Sequence, residues 1–444
     1  MSTVQAAAPD VAAPAAPAAP AAAPPAVASV PPAAPVGPGG PSNGAADLEV
    51  HPVRFTGTGG GYFRVWIVNL VLMVLTLGLY TPWARRRTAR WFFDHTEVAG
   101  SPLEFAAPMR RMVFGFLVFA GLYIAYEIAS RTGQEAVAYT MIGGAAVLAP
   151  LAWRGAMRFR TTSTRWRGLQ LHFSASTLEV YRASWPLALI AVVWAAVFAA
   201  GFALEAGDEA DRAAQAARRG LAVLVLPLAT LAALVAGGLL FVRLDYGLRR
   251  LLFERGGLGD VSGRFKPTFG AFLRISLIAG GVWIALVGAV WLGVFLLGGG
   301  LIRDLASLMG SPDEVQDPAR WAALAALLLL PFSLFLFAVP AYAWREARVF
   351  ALVWNGAGLG RIVRTQCTLS AARFMWMRIV NVGLTLVTLG LWRPFARVRE
   401  YRMKVESVRL HVRGGLDTVT GRLQAQSGGV GDMLADAVGL DVIG

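Results

Sequence analysis

Cysteine and lysine are almost absent from this chain of 444 residues. Cys367 stands alone, which excludes intrachain disulfides and a cysteine-based metal cluster. Lys266 and Lys404 are the only lysines, so the formal net charge of +14 rests on arginine. Histidine is scarce too: His51, His95, His172 and His411 lie far apart, and no HExxH pair is present. There is no GxSxG nucleophile motif. With these absences no catalytic residue, metal site or cofactor is expected, and the chain does not read as an enzyme. Charged residues are only 15% of the chain against 56% hydrophobic, and mean hydropathy is +0.55. That balance excludes most water-soluble domains and points to an all-α polytopic membrane protein. In such a protein a basic excess marks cytoplasmic loops and contact with anionic lipid head groups, not nucleic acid.

Residues 1–46 are mostly Ala, Pro, Gly, Val and Ser, with repeated Ala-Pro steps that favour extended chain and supply no core. They lack a basic region followed by an apolar one, so a disordered tail is expected there and not a signal peptide. A membrane domain is expected over 47–424 and a flexible tail over 425–444. Gly57, Gly59, Gly60 and Gly61 form neither a GxGxxG pattern nor a Walker motif, so the stretch from Val53 reads as a short strand and a turn.

The stretch Tyr62–His95, YFRVWIVNLVLMVLTLGLYTPWARRRTARWFFDH, organises the rest. It returns from Phe374 as FMWMRIVNVGLTLVTLGLWRPFARVREYRMKVES. Asn69 and Asn381, Pro82 and Pro394, and Leu77-Gly78-Leu79 and Leu389-Gly390-Leu391 all match without a gap, 312 positions apart. So many matches in one register read as an internal duplication.

Apolar segments long enough to approach a bilayer's thickness lie near 62–81, 110–129, 134–152, 185–204, 221–242, 272–301, 322–343 and 374–392, about eight in all. The connections inside each middle pair are neutral or acidic. Those between pairs, Pro82–Arg111, Trp153–Ser184, Arg243–Phe272 and Trp344–Arg373, are rich in arginine and aromatic residues and are expected at the cytoplasmic face. Each begins with a basic helical piece and ends in a strand-like piece with glycine: AGSPLEFAA, WRGLQLHFSAS, VSGRFKPTF and LGRIVRTQCTL. Short helix–strand repeats are therefore expected, and the strand pieces can pair beneath the membrane. Segment 374–392 carries arginines on both flanks, Arg361, Arg364 and Arg373 before it and Arg393, Arg397 and Arg399 after it. An ordinary single crossing is the preferred reading of it; a dip that returns is the alternative.

Three polar residues fall in or beside apolar segments: Asn69, Asn381 and Glu127. An amide in hydrocarbon needs a partner, so the asparagines read as interhelical contacts or as a substrate or ion path. Glu127 sits near Arg131 and reads as interfacial. Arg85, Arg87, Arg90, Arg397, Arg399 and Arg402 follow the apolar segments and are candidates for lipid head groups or other anions.

The run Tyr62-Phe63-x-x-Trp66-Ile67-Val68-Asn69, then Leu75-Thr76-Leu77-Gly78-Leu79-Tyr80-x-x-Trp83-Ala84-x-x-Arg87, then His95-Thr96-x-x-x-Gly100 resembles the YjgN-like bacterial inner-membrane proteins. Arg158-Phe159-Arg160 and Trp166-Arg167-Gly168-Leu169 are similar to that family's second loop. Pro82 departs from the small residue expected two places before Ala84. The resemblance covers about residues 50–415 and implies a multi-pass inner-membrane protein, with no ligand or catalytic residue to carry over. The expected role is a transporter or channel for a small solute or lipid. The alternative is a non-catalytic envelope scaffold or lipid-interacting protein, and membrane lipids are the expected partners.

Overall fold

The computed structural model describes residues 48–205, 212–259, 261–297, 318–415 and 420–421. The tails expected at 1–46 and 425–444, and most acidic residues of the connections after 205 and 303, lie outside them. The chain enters at β1 (Leu48–Phe55), runs out through α1 (Gly59–Leu75), back through α2 (Thr81–Asp94), and into β2 (Thr96–Val98) and β3 (Ser101–Phe105). The cycle repeats. A pair α3 (Met109–Arg131) and α4 (Glu135–Thr162) leads to β4 (Thr164–Trp166) and β5 (Leu169–Phe173). Then α5 (Thr177–Glu205) and α6 (Arg212–Arg255) lead to β6 (Gly256–Leu258) and β7 (Val261–Phe265). Next, α7 (Phe269–Leu297) and α8 (Pro318–Gly356) lead to β8 (Ala357–Leu359) and β9 (Val363–Cys367). Last come α9 (Ala371–Val387), α10 (Arg393–Glu406) and β10 (Val408–Arg413).

The strands close into one antiparallel barrel in chain order, with β1 pairing both β2 and β10. The all-α expectation is thus overturned. Each basic connection holds a hairpin of two strands, each only three to five residues long, too short for alternation to show clearly. Every helical pair leaves the barrel and returns at opposed residues: Phe55 faces Thr96, Phe105 faces Thr164, Phe173 faces Gly256, Phe265 faces Ala357 and Cys367 faces Val408. Antiparallel pairing therefore puts all the described helices at one end of the barrel and the hairpin turns at the other. Two of those turns, Ala99-Gly100 and Arg167-Gly168, have both residues at positive φ (50° and 75°, 50° and 78°). That is the type I′ geometry whose twist matches a two-residue hairpin, and glycine meets the second position without strain.

The count of about eight apolar segments is also corrected. Among the described residues α3, α4, α5, α6 and α7 are long and apolar enough to cross a bilayer. The flanking helices α1 and α9 are 17 residues each, about 25 Å, and α2 and α10 return from them. Segments 62–81 and 374–392 therefore do not cross once and end on the far side. Both ends of each helical pair are tied to neighbouring strands, Thr56 N–H to the His95 carbonyl at 3.0 Å and Thr368 N–H to the Ser407 carbonyl at 2.9 Å. The returning reading replaces the preferred one.

Aromatic packing seals the seam where the first and last cycles meet. Phe55, Tyr62, Phe92 and Val398 are buried together, with Trp91 and Tyr401 against them. Tyr62 and Phe92 centroids are 4.9 Å apart and Phe55 and Tyr401 5.0 Å apart. Burial among these rings raises the Tyr401 phenol, and its hydrogen bond to Thr96 (3.0 Å) opposes that rise. A Cβ on Gly57 would stand 2.6 Å from the Phe55 ring and 2.7 Å from Trp91, so close packing accounts for this glycine.

Ion pairs tie the feet of the helices together. Asp245 of α6 accepts from Arg249 (2.6 Å) and from Arg345 of α8 (3.0 Å), and Arg345 also donates to Ser276 of α7 (2.9 Å). Arg378 of α9 bridges Glu346 of α8 and Glu400 of α10, the latter at 2.6 Å, and Lys404 also holds Glu346. Burial disfavours the Glu346 carboxylate, but Lys404 and Arg378 outweigh it and hold the carboxyl below its usual range.

Two outcomes test this account. Glu346→Gln leaves Arg378 and Lys404 without one partner and is expected to cost about 3 kcal/mol at neutral pH. A carboxyl depressed in the folded state stabilises fully above its unfolded pKa of about 4.3, and that contribution disappears as pH falls through the lower folded value. Thermal unfolding in detergent should therefore show the gap between E346Q and the parent closing only at strongly acidic pH. Gly168→Val, forced to φ 78°, should cost about 1–2 kcal/mol in the same assay, whereas Gly121→Ala in α3, where a Cβ meets open space, should not destabilise.

Candidate functional site

A ring of eight strands is just filled by its own side chains, and a wider ring leaves room. Here the ten-strand barrel holds a partly open cavity of about 440 Å³ that extends to the feet of α4, α6 and α8. Leu103, Trp166, Leu171, Leu258, Leu410 and Val412 line it, so its wall is apolar on most sides. Trp166 and Val412 pack with Val98, Leu103 and Val363 into a small core within it. The Trp166 indole N–H donates to the Val98 carbonyl at 3.0 Å, which fixes the ring against β2. Arg167 lies over that ring at 5.5 Å and ties the β4–β5 turn to the neighbouring one, donating to Ser101 Oγ (2.8 Å) and the Ala99 carbonyl (3.2 Å).

Polar groups on the wall are few. Thr365 donates its hydroxyl to the Trp354 and Ala357 carbonyls, so its polarity is spent within the wall. Thr161 does the same within α4. His172 is the one histidine on this cavity, and its ring lies where a Cβ on Gly257 would fall, 2.4 Å from Cε1. The other histidines stay apart: His51 pairs with Glu49 (3.1 Å), His95 with the Trp91 carbonyl (2.7 Å) and His411 with Gln366 (3.0 Å). Among the described residues no group of three His, Cys, Asp or Glu side chains is placed to hold a metal. The chemistry open to this cavity is the enclosure of an apolar group.

The residues singled out from the sequence lie elsewhere. Asn69 is buried in α1 and its Nδ2 lies 3.4 Å from the Ala84 carbonyl and from Thr88 Oγ1, both on α2. Asn381 is buried in α9 and its Oδ1 accepts from Arg399 of α10 at 3.2 Å. Each amide thus joins a helix to its own return helix, and Asn69 Oδ1 and Asn381 Nδ2 are buried without a partner among the described residues. Glu127 pairs with Arg131 (2.7 Å) on the exposed end of α3.

The six arginines divide into two kinds. Arg397 donates to Tyr62 Oη (3.2 Å) and lies 5.3 Å over Phe92. Arg402 donates to the Gly57 carbonyl (2.6 Å), and Arg399 holds Asn381. Arg397 and Arg402 clamp the last cycle onto the first, whereas Arg399 joins α10 to α9 within the last cycle. Their counterparts Arg85, Arg87 and Arg90 are exposed on α2, with no hydrogen bond or ion pair among the described residues. Sequence reading missed the cavity and the Asp245 and Glu346 networks. The cavity wall is drawn from residues as distant as Val98 and Leu410, and no local pattern carries it. The networks had a signal: Asp245 and Glu346 are acids set among the arginines of the basic connections.

The family model described as "Bacterial protein of unknown function (DUF898)" matches residues 50–437. A protein named inner membrane protein YjgN from Salmonella typhimurium is 21% identical over 363 residues, which is 81% of this chain and 77% of that one. Proteins of the same name from Escherichia coli O157:H7 and strain K12 are 27% and 26% identical over 135 and 130 residues. Those two alignments cover 30% and 29% of this chain and span about a third of each relative, 34% and 33%. No solved structure matches. Relatives named for the inner membrane and five helices of spanning length make this a multi-pass inner-membrane protein. The chain belongs to the DUF898 family of bacterial proteins of unknown function.

Proposed function

We propose that this protein handles lipid without catalysis: the barrel takes one apolar chain from the adjoining leaflet into its interior. The carrying observation is the cavity of about 440 Å³ with an almost wholly apolar wall, a size within the range of about 300–1,000 Å³ of small-molecule sites. An ion or polar solute needs carbonyls or charged groups to replace its water, and this wall offers few. The transporter reading is thereby narrowed to a lipid or similar amphiphile. The arginine-rich feet of the helices support a cytoplasmic position for the barrel, by the positive-inside bias. The helix bounds support a duplication as well, since α1 and α9, and α2 and α10, begin and end at equivalent positions of the repeated stretch.

Native mass spectrometry of the purified protein tests the reading. A retained lipid mass is expected, and it should be lost in Leu410→Trp, which fills the cavity, and weakened in Leu410→Asn, which keeps the volume but wets the wall. Unchanged elution on size exclusion identifies variants that remain folded. A parent protein without lipid, or a lipid mass untouched by both folded variants, overturns lumenal binding and leaves the envelope scaffold.

A further inference from the structure

The turn between α1 and α2 is unusual for a surface turn. Leu77 has φ 49° and is 94% exposed, and Leu389 between α9 and α10 has φ 50° and is also 94% exposed. A left-handed leucine costs roughly 1–2 kcal/mol, and glycine or asparagine would relieve it. No packing within the protein compensates, because the side chain touches little. Moving a leucine from water into hydrocarbon returns about 1.5–3 kcal/mol, enough to outweigh the strain. Val74, Leu75 and Leu79 around the first tip are 67%, 73% and 62% exposed, so the whole end is apolar.

Backbone accounting agrees. Six successive N–H groups at the first tip are bonded internally. Thr76 donates to Leu72 O (3.0 Å), Leu77 to Val74 O (3.1 Å), Gly78 to Met73 O (2.7 Å) and Leu79 to Thr76 O (3.0 Å). Tyr80 donates to Thr76 Oγ1 (3.0 Å) and Thr81 to Gly78 O (3.1 Å). The six equivalent groups from Thr388 to Arg393 are satisfied in the same way, Trp392 through Thr388 Oγ1 at 3.0 Å. A turn in water has no need of this; a turn in hydrocarbon does, because nothing else there can accept a hydrogen bond.

Height fixes how deep the tip reaches. All these helices rise from the same end of the barrel, at about 1.5 Å per residue. Arg85 stands about 13 Å up from the end of α2, close to the level of Arg243 on α6 and Arg345 on α8, about 16–18 Å from their own feet. The tip at Leu77 rises roughly 6–10 Å beyond Arg85, less than the roughly 15 Å of one leaflet's hydrocarbon. Tyr80 and Trp83, stacked with centroids 6.1 Å apart, lie between tip and arginines, where aromatic rings suit the interface. The Arg85–Arg90 row also holds Arg86, whose Nε is buried without a partner among the described residues.

From these observations we infer that the α1–α2 tip is a wedge inserted into the barrel-side leaflet only, seated by Arg85, Arg87 and Arg90 on the phosphates of anionic lipids. The α9–α10 tip is its shallower counterpart, because Arg393 replaces Thr81 at the start of the return helix and keeps a cation close to Leu389. The inference does not rest on the lumenal ligand.

Full-length protein with Cys367→Ala, carrying an environment-sensitive dye at Leu77→Cys, Leu389→Cys or Arg85→Cys, tests it in vesicles of phosphatidylethanolamine and phosphatidylglycerol. Bromine on the acyl chains is expected to quench the dye at 77 several-fold more than aqueous iodide does, with 389 intermediate and 85 reversed. Adding Arg85→Gln, Arg87→Gln and Arg90→Gln to the Leu77→Cys protein should lower bromine quenching in these vesicles to the level seen in phosphatidylcholine alone. Iodide quenching at 77 as strong as at 85 puts the tip in water and overturns the wedge. Strongest quenching from bromine at the chain ends, with iodide access from the opposite side, makes it a full crossing and overturns it equally. Unchanged quenching in the triple variant overturns the role of the arginines.

Discussion

Closure of the strand ring is the constraint on which the rest of this structure depends. Ten antiparallel strands that meet end to end leave no free edge, so the barrel needs no cover along its side. Closure also fixes direction. Each helical pair must start and finish at the same end of the barrel, whatever the length of its helices. Short hairpin turns, of two residues at Ala99-Gly100 and Arg167-Gly168 and three at 360–362, then bring the chain round at the opposite end. The strands themselves are too short to be stable alone. They persist because neighbouring helices hold their ends: α2 packs on α3, α4 on α5, α6 on α7, α8 on α9, and α10 returns to α1.

The ion pairs that join one helix pair to the next are few and lie in the barrel-side part of the helices. Asp245 is shared by Arg249 of its own helix and Arg345 of the next cycle, Glu346 reaches Arg378 and Lys404 of the last cycle, and Glu400 pairs with Arg378 within that cycle. Above these pairs the helices of spanning length show large exposed apolar surfaces, such as Phe119 at 70% and Phe198 at 64%, which suit contact with acyl chains and not with water. Below them lies the apolar cavity. The protein thus places these ion pairs between two apolar regions, and the membrane-side region is continuous with the helix feet that border the cavity.

Much of this was legible and some was not. The apolar helices from α3 to α7 announced themselves by length, and the repeated Leu-Gly-Leu punctuation marked two equivalent turns. The four strand-like pieces contained their own key: Phe105, Phe173 and Phe265 with Cys367 each end a strand where the chain leaves the barrel, and Gly100, Gly168 and Gly360 each lie in a turn. The preceding three-residue strands gave no such sign, since Thr96–Val98 or Gly256–Leu258 has no period to detect. Without them each loop read as one strand, a ring could not be counted, and an all-α fold followed. The duplicated arginines misled in a different way. Equal text at Arg85 and Arg397 or Arg90 and Arg402 implied equal roles, but only the later copies have the first cycle to pack against.

The order of strands also decides what stands beside what. Because β1 pairs with β10, the two short helical pairs are next to each other, and the three long pairs follow one another round the remaining arc. Round the barrel, three long helical pairs therefore stand beside two short ones. The short pairs lie directly over the seam that joins β10 to β1, so the part of the helical layer with least height is also the part where the last cycle closes on the first.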